Sequence, residues 1–160
     1  MPGSLANLTA DGATYELRRA TSADVGAIVG LIAADQIGAT RDGGDLAPYE
    51  RAFAAIDADP AQLLVVAADG HAVVGTLQLT FIPGLARRGA LRAQIEAVRV
   101  RADLRGRGLG HALIAWAIEE AGRRGCALVQ LTSDKRRAEA HRLYGRLGFA
   151  ATHEGFKLRL

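Results

Sequence analysis

The stretch IEAVRVRADLRGRGLGH, residues 95–111, joins an apolar strand to a turn of glycines and arginines and then to a helix. The helix is predicted over residues 109–123, where Leu109 and Leu113 begin an apolar stripe at helical spacing. The first turn of a helix has free backbone N–H groups and the positive end of the helix dipole. Glycines there let a bulky anion approach the backbone, so this stretch predicts a phosphate site, and a pyrophosphate suits its extended loop.

Two better-known phosphate motifs do not fit these residues. A P-loop needs Lys and then Ser or Thr after its last glycine, but His-Ala at 111–112 follows Gly110. A dinucleotide fingerprint needs glycine or alanine where Leu113 stands, and the chain is too short for two nucleotide-binding halves. The remaining alternative is a glycine turn that only starts a helix. Arg105 and Arg107 favour the anion site, because guanidinium groups bind phosphate oxygens in pairs.

The composition is that of a globular protein of one domain. The chain has 160 residues, of which 49% are hydrophobic and 23% charged, and this excludes wholesale disorder, collagen and a coiled coil. Its 20 basic residues are 18 arginines with only Lys135 and Lys157, against 17 acidic residues. The net charge of +3 is spread along the chain with both signs mixed, so no nucleic-acid partner is expected.

Several other classes of protein are also disfavoured. The single cysteine, Cys126, can form neither an internal disulfide nor a cysteine-based zinc cluster, and no metal site is predicted. No apolar run reaches the length of a membrane span. Residues 1–14 lack the pattern of a signal peptide and are predicted to form a flexible tail. We therefore expect a cytoplasmic protein without a membrane partner.

The order of predicted elements is β-α-α-β-β-β-α-β-α-β, an α/β (α+β mixed) fold in one domain over residues 15–160. The strand–helix–strand segment over 93–132 predicts a parallel pair of neighbouring strands. A second helix is predicted over about 137–147. Residues 149–160 are predicted to contain one or two short strands.

Two separate motifs resemble the GNAT family of N-acetyltransferases. Arg105-x-x-Gly108-x-Gly110 after the strand at 95–100 resembles that family's acyl-CoA-binding motif. AHRLYGRLGF at residues 140–149 resembles its second motif, a helix with a tyrosine that ends in Gly-Phe. The order of elements matches as well, so the resemblance covers nearly all of residues 15–160.

The resemblance implies a central mixed sheet with splayed parallel strands, and acetyl-CoA as cosubstrate. The strand before the glycine loop carries a bulge in this family, and the backbone of Val98 and Val100 would bind the pantetheine arm. An N–H group near Val98 would polarise the thioester carbonyl. The residues implied in cofactor binding are Val98, Arg99, Val100, Arg105, Gly106, Arg107, Gly108, Leu109, Gly110 and His111.

Tyr144 and Glu96 are the residues to which the resemblance and the chemistry assign catalysis. Tyr144 matches the tyrosine that returns a proton to the CoA thiolate, and a phenol has a pKa near 10, comparable to that of an alkyl thiol. Glu96, a carboxylate on the strand before the glycine loop, is predicted to take the proton of the attacking amine. The alternatives are a core tyrosine and a solvated or Arg99-paired glutamate. His71, His111 and His141 are weaker candidates for the base.

Many family members have an asparagine near the start of the second helix, but residues 132–137, TSDKRR, contain none. Ser133 or Thr132 is the candidate for a substitute donor, and Arg136 or Arg137 is the candidate for a further phosphate contact.

The acceptor is expected to be a small-molecule amine or a peptide amine. In this fold the acceptor site is built by the loops near 37–47 and 82–92 and by the short helix between them. The alternative function is a non-catalytic CoA-binding or regulatory module, and a homodimer is a possible assembly.

Overall fold

The computed structural model describes residues 3–35, 39 and 41–160. In this part of the chain the strands are β1 (Ser4–Ala10), β2 (Ala13–Arg19), β3 (Gln62–Asp69), β4 (Ala72–Ile82), β5 (Arg92–Val100) and β6 (Leu128–Leu131). The helices are α1 (Val25–Ala33), α2 (Ala47–Ala58), the single turn α3 (Ala86–Gly89), α4 (Leu109–Arg123) and α5 (Ala138–Arg146). No helix in the described ranges is long and apolar enough to cross a membrane.

The strands form one sheet in the order β1-β2-β3-β4-β5-β6. Each neighbouring pair from β1 to β5 is antiparallel. Helix α4 connects β5 to β6 and so provides the long crossover that a parallel pair requires. The sheet and its helices confirm the predicted α/β fold.

Helix α4 packs on the sheet through the apolar stripe that the sequence predicts. Its buried side chains are Leu109, Leu113, Ile114, Trp116, Ala117 and Ala121. The approach to β4 is close, because a Cβ added at Gly75 would lie 3.2 Å from Leu113 Cδ1. Gly125 follows the helix with a φ of +77° and ends it, as expected for a glycine at this position.

Helices α1 and α2 contribute a second set of core residues. Ile28 of α1 is buried with Ala20 and Val66, and Phe53 of α2 packs against this cluster. The loop expected over 37–47 ends where α2 begins, and its residues 37, 38 and 40 lie outside the described part of the chain.

The flexible tail predicted over residues 1–14 is wrong for the segment from Ser4, which forms β1 and pairs with β2. Asp11 and Gly12 make the turn between the two strands with φ angles of +49° and +76°. Asp-Gly is a strong signal for a two-residue hairpin turn, and Leu8 and Ala10 are buried at alternate positions. The small polar residues of this segment obscured that alternation in the sequence.

The strands predicted within residues 149–160 do not form either. The chain divides into two compact units, residues 1–130 and residues 131–160, and the second contains α5 and this segment. Residues 151–160 are all exposed and none belongs to a strand. Phe156, Leu158 and Leu160 have the alternation of a strand, but alternation makes a strand only where a neighbouring strand supplies hydrogen bonds. One domain over 15–160 stays a prediction.

An ion pair fixes the entry to α1. The carboxylate of Asp24 accepts hydrogen bonds of 2.7 and 2.9 Å from the guanidinium of Arg18, and one of 2.7 Å from the backbone N–H of Thr21. Asp24 is only 7% exposed. The bonds from Arg18 lower the pKa of Asp24, although its burial acts in the opposite direction.

Replacement of this carboxylate should destabilise the chain in a pH-dependent way. Because the pKa of Asp24 is lowered by folding, its stabilisation is complete above the pKa of an unfolded aspartate, about 3.9, and is lost as the pH falls below it. Asp24→Asn is expected to lower the free energy of unfolding by about 1.5–3 kcal/mol near pH 7. Urea denaturation at about pH 7 and about pH 3 measures the difference, which should shrink at the lower pH. A difference of the same size at both pH values would contradict this assignment.

Candidate active site

Strand β5 carries one extra residue where it faces β4. Gln78 pairs with Glu96 and Thr76 pairs with Arg99, so one residue of β4, Leu77, opposes two of β5. Ala97 lies in this bulge with a φ of +53°, in the left-handed region. The bulge expected from the family resemblance is therefore present. It interrupts the ladder of hydrogen bonds at Ala97 and Val98, which are both half-buried, and the pairing resumes at Arg99.

The carbonyl groups after the bulge contact arginine side chains. Arg99 Nη1 donates to the carbonyl of Val98 at 2.8 Å, and Arg105 Nε donates to the carbonyl of Val100 at 3.1 Å. Arg99 Nη2 also lies 3.8 Å from the carboxylate of Asp35. The interpretation of Glu96 as a partner of Arg99 is thus replaced by an Asp35–Arg99 ion pair. Two arginines of the proposed cofactor set line the backbone of β5.

The glycine loop leads directly into α4. Gly106 and Gly108 have φ angles of +74° and +93°, and Gly108 is the residue before the helix. A Cβ at Gly106 would meet no atom within 4 Å, and one at Gly108 would lie 3.8 Å from Ala10 Cβ. The space over this turn is therefore open, and a side chain at either glycine would project into it. The N–H groups of the first helical turn lack partners within the helix.

The side chains around this turn divide into two groups. Arg105, Arg107 and His111 are exposed, and Arg107 Nε lies 3.3 Å from a carboxylate oxygen of Asp11. Leu109 is buried in the core, so at that position only the backbone can contact an anion. Open glycines, free N–H groups and two guanidinium groups together fit a pyrophosphate better than a single carboxylate.

Glu96 lies at the edge of a cavity of about 290 Å³. The lining residues come from α2, the turn after it and strands β3 to β5: Ala55, Ile56, Asp59, Gln62, Gln78, Thr80 and Glu96. An apolar cavity of about 110 Å³ adjoins it and shares Ile56 and Gln78, and Ala97 of the bulge lines that second cavity. The glutamate is exposed, so its carboxylate can reach a solute.

Sequence reasoning missed the glutamines around Glu96. Gln94 donates to the carboxylate of Glu96, and Gln130 Nε2 donates to Gln94 Oε1 at 2.9 Å. Gln62 Oε1 accepts from Gln78 Nε2 and from the Thr80 hydroxyl, both at 2.9 Å. The sequence did contain a signal for this polar cluster. On β4 and on β5, polar residues stand two positions apart among apolar ones, and this spacing puts them on one face of the sheet.

Tyr144 lies on α5, in the unit formed by residues 131–160. Its ring meets that of Phe149 edge-on, with centroids 6.0 Å apart, and the N–H of Phe149 donates to the carbonyl of Tyr144. Near the start of this unit, Arg136 lowers the pKa of the Asp134 carboxyl through hydrogen bonds from its side chain and backbone. The Ser133 hydroxyl is buried and without a partner, which suits its expected role as a substitute donor. The catalytic roles of Tyr144 and Glu96 stay predictions.

Other expected sites can be placed as well. Of the acceptor segments, α2 lines the larger cavity, whereas no arginine of the described residues does. The nitrogen Nε2 of His141 lies 3.0 Å from the carbonyl of Asp134, a structural contact. No group of three or more His, Cys, Asp and Glu side chains in the described ranges could hold a metal ion.

Ala97 and Gly108 both have a left-handed backbone, and substitution should change the free energy of unfolding in opposite directions at the two positions. An L-residue loses roughly 1–2 kcal/mol in this region, while glycine loses about 0.5–1 kcal/mol of backbone entropy. We expect Ala97→Gly to raise the free energy of unfolding by about 0.5–1 kcal/mol and Gly108→Ala to lower it by about 1–2 kcal/mol. Urea denaturation measures both. A loss of stability in Ala97→Gly would show that the bulge is not strained.

Comparisons with known proteins agree with this geometry. The model of the acetyltransferase (GNAT) family matches residues 24–149. The chain is 31% identical over 141 residues to an aminoalkylphosphonate N-acetyltransferase from Salmonella typhimurium, with 88% of each chain covered.

Solved structures agree in fold. A transcriptional regulator from Bacillus halodurans C-125 has a TM-score of 0.88 and 44% identity, covering 91% of this chain and 99% of that one. An acetyltransferase from Trypanosoma brucei has a TM-score of 0.75 and 26% identity, covering 91% of this chain and 99% of that one. The family match, the relatives and the arrangement of bulge, glycine loop and helix lead to one conclusion: the chain belongs to the GNAT family and is an N-acetyltransferase.

Proposed function

We propose that this chain transfers the acetyl group of acetyl-CoA to the primary amine of a small molecule by direct attack of the amine, with a peptide amine as the other acceptor class. The observation that carries the proposal is the order of features along β5 and α4. Glu96 borders a cavity, the bulge at Ala97 follows it, and an open glycine turn with two arginines begins α4.

The residues of the glycine turn suit the pyrophosphate of acetyl-CoA. The N–H groups of residues 106–111 would bind its oxygens, and Arg105 and Arg107 would add charge-assisted contacts. The bulge interrupts the ladder at Val98, and the N–H groups of Val98 and Val100 would bind the pantetheine arm in the manner of an added strand, because their carbonyls accept from Arg99 and Arg105. When bound, acetyl-CoA supplies the activated thioester.

Glu96 is proposed as the base. An amine is mostly protonated near pH 7 and must lose a proton before it can attack. An exposed carboxylate at the edge of a cavity can take that proton directly or through a water molecule. Two carboxylates, those of Asp59 and Glu96, line this cavity without a described Lys or Arg, and this favours a cationic amine over an uncharged acceptor.

Tyr144 is proposed as the acid that gives a proton to the leaving thiolate. The family motif carries this assignment, and the similar acidity of a phenol and a thiol makes the transfer feasible. An acyl-enzyme at Cys126 is disfavoured, because burial raises the pKa of that thiol despite the nearby Arg124.

The relatives support an amine acceptor and raise one other candidate function. The Salmonella relative acts on aminoalkylphosphonates, which carry an amine. The Bacillus halodurans relative is named a transcriptional regulator, and this favours a regulatory module that binds acetyl-CoA without turnover as the second candidate. The two candidates differ in thiol release, which only the enzyme catalyses.

Binding of acetyl-CoA should stabilise the chain. At a concentration about 100 times the Kd, the ligand adds about 2.7 kcal/mol, which corresponds to a Tm higher by roughly 5–10 °C. Gly108→Leu is expected to abolish this shift. Gly125→Leu is the matched control, since Gly125 also has a positive φ but lies at the other end of α4. Both variants should lower the Tm without ligand, and only Gly125→Leu should keep the shift. A wild-type chain with no shift would overturn the proposal.

Loss of either proposed catalytic group should lower kcat more than it changes KM for acetyl-CoA. We expect Glu96→Gln and Tyr144→Phe each to reduce kcat by about 10²–10⁴-fold. The measurement is thiol release from acetyl-CoA over a panel of alkylamines, diamines, amino acids, aminoalkylphosphonates and peptides. Glu139→Gln, an exposed residue on the same helix as Tyr144, is the control and should match the wild type. No release with any amine would favour the regulatory module.

A further inference from the structure

A relay of two glutamines crosses from β6 to β5 and ends at Glu96. Gln130 Nε2 donates to Gln94 Oε1 at 2.9 Å, and Gln94 Nε2 donates to Glu96 Oε1. Gln94 and Glu96 are two residues apart and share a face of β5, while Ala93 and Ile95 between and beside them are buried on the opposite face. Both glutamines are half-buried, which restricts their rotamers.

The relay has a fixed direction. A carboxamide has one oxygen that accepts and one nitrogen that donates, whereas a carboxylate only accepts. Because Glu96 requires a donor, Gln94 must present its nitrogen to Glu96 and its oxygen to Gln130. Gln130 must in turn present its nitrogen to the oxygen of Gln94. A Gln130 side chain that presents its nitrogen to the oxygen of Gln94 therefore supports the donation from Gln94 to Glu96.

The other groups that face Glu96 do not provide an alternative anchor. Asp59, from the turn after α2, lines the same cavity but is itself a carboxylate. Gln78 lies opposite Glu96 on β4, and its nitrogen donates to Gln62. Arg92 shares the face of β5 four residues away but does not line the cavity. The amide of Gln94 is thus the donor that the structure places on this carboxylate.

We propose that Gln94 and Gln130 are positioning residues, which hold the carboxylate of Glu96 at the edge of the cavity where it meets the acceptor amine. This inference rests on the proposed role of Glu96 as the base. A hydrogen bond to a charged group is among the stronger ones in proteins, and a base must be held within hydrogen-bond reach of the proton that it takes. Gln130 acts through Gln94 and does not itself line the cavity.

Gln130→Glu tests the direction of the relay without changing the size of the side chain. The introduced carboxylate can only accept, so it competes with Glu96 for the donor of Gln94 and weakens the bond to Glu96. We expect kcat to fall about 10- to 100-fold, with KM for acetyl-CoA and its thermal shift unchanged. Gln94→Leu removes the donor and should give a similar fall. Wild-type kcat in both variants would overturn the inference.

A double-mutant cycle separates positioning from a structural effect. If Gln130 acts only through Glu96, Gln130→Glu should cause no further loss of kcat in the Glu96→Gln background. An equal fractional loss in both backgrounds would show a structural role and overturn the inference. If Glu96→Gln alone keeps the wild-type kcat, both the role of Glu96 as the base and its positioning by the glutamines are overturned. A large loss in Glu96→Gln beside wild-type kcat in Gln130→Glu contradicts the positioning alone.

Discussion

The single extra residue in β5 is the constraint on which the site depends. Side chains alternate along a strand, so one inserted residue reverses the alternation and breaks the ladder at the same point. Before the bulge, Glu96 pairs with Gln78 and lies at the cavity. After it, the pairing with β4 resumes at Arg99, and the carbonyls of Val98 and Val100 accept hydrogen bonds from the side chains of Arg99 and Arg105. A regular strand would not provide both features within five residues.

Helix α4 ties that strand to the anion site. Its apolar stripe is buried against β4 and β5, so its position is set by packing rather than by the ligand. The glycine turn is then held at the end of β5 by two anchors, the strand on one side and the buried Leu109 on the other. Rigid support of this kind keeps N–H groups oriented before a ligand arrives, which lowers the entropic cost of binding.

Local patterns predicted most of the elements between residues 15 and 147. The bounds of α4 agree with the prediction at both ends, because the glycines at 108 and 125 and the stripe between them are signals within one segment. The errors lie at the termini. In residues 4–14 a strand forms that the prediction of a flexible tail missed, although the Asp11-Gly12 turn indicated a hairpin. In residues 149–160 the alternation predicted strands, but the described part of the chain has no neighbouring strand for them to pair with. Strand formation depends on partners that the segment itself does not contain.

The sequence by itself determined the glycine turn, the helix that follows it, the tyrosine motif and the carboxylate on β5, since each is encoded by residues close together. Only the tertiary structure decided that Gln130 meets Gln94, 36 positions earlier. The physical reason is register. Which side chains touch across strands depends on how the sheet aligns them, and a shift by one residue would turn each to the other face.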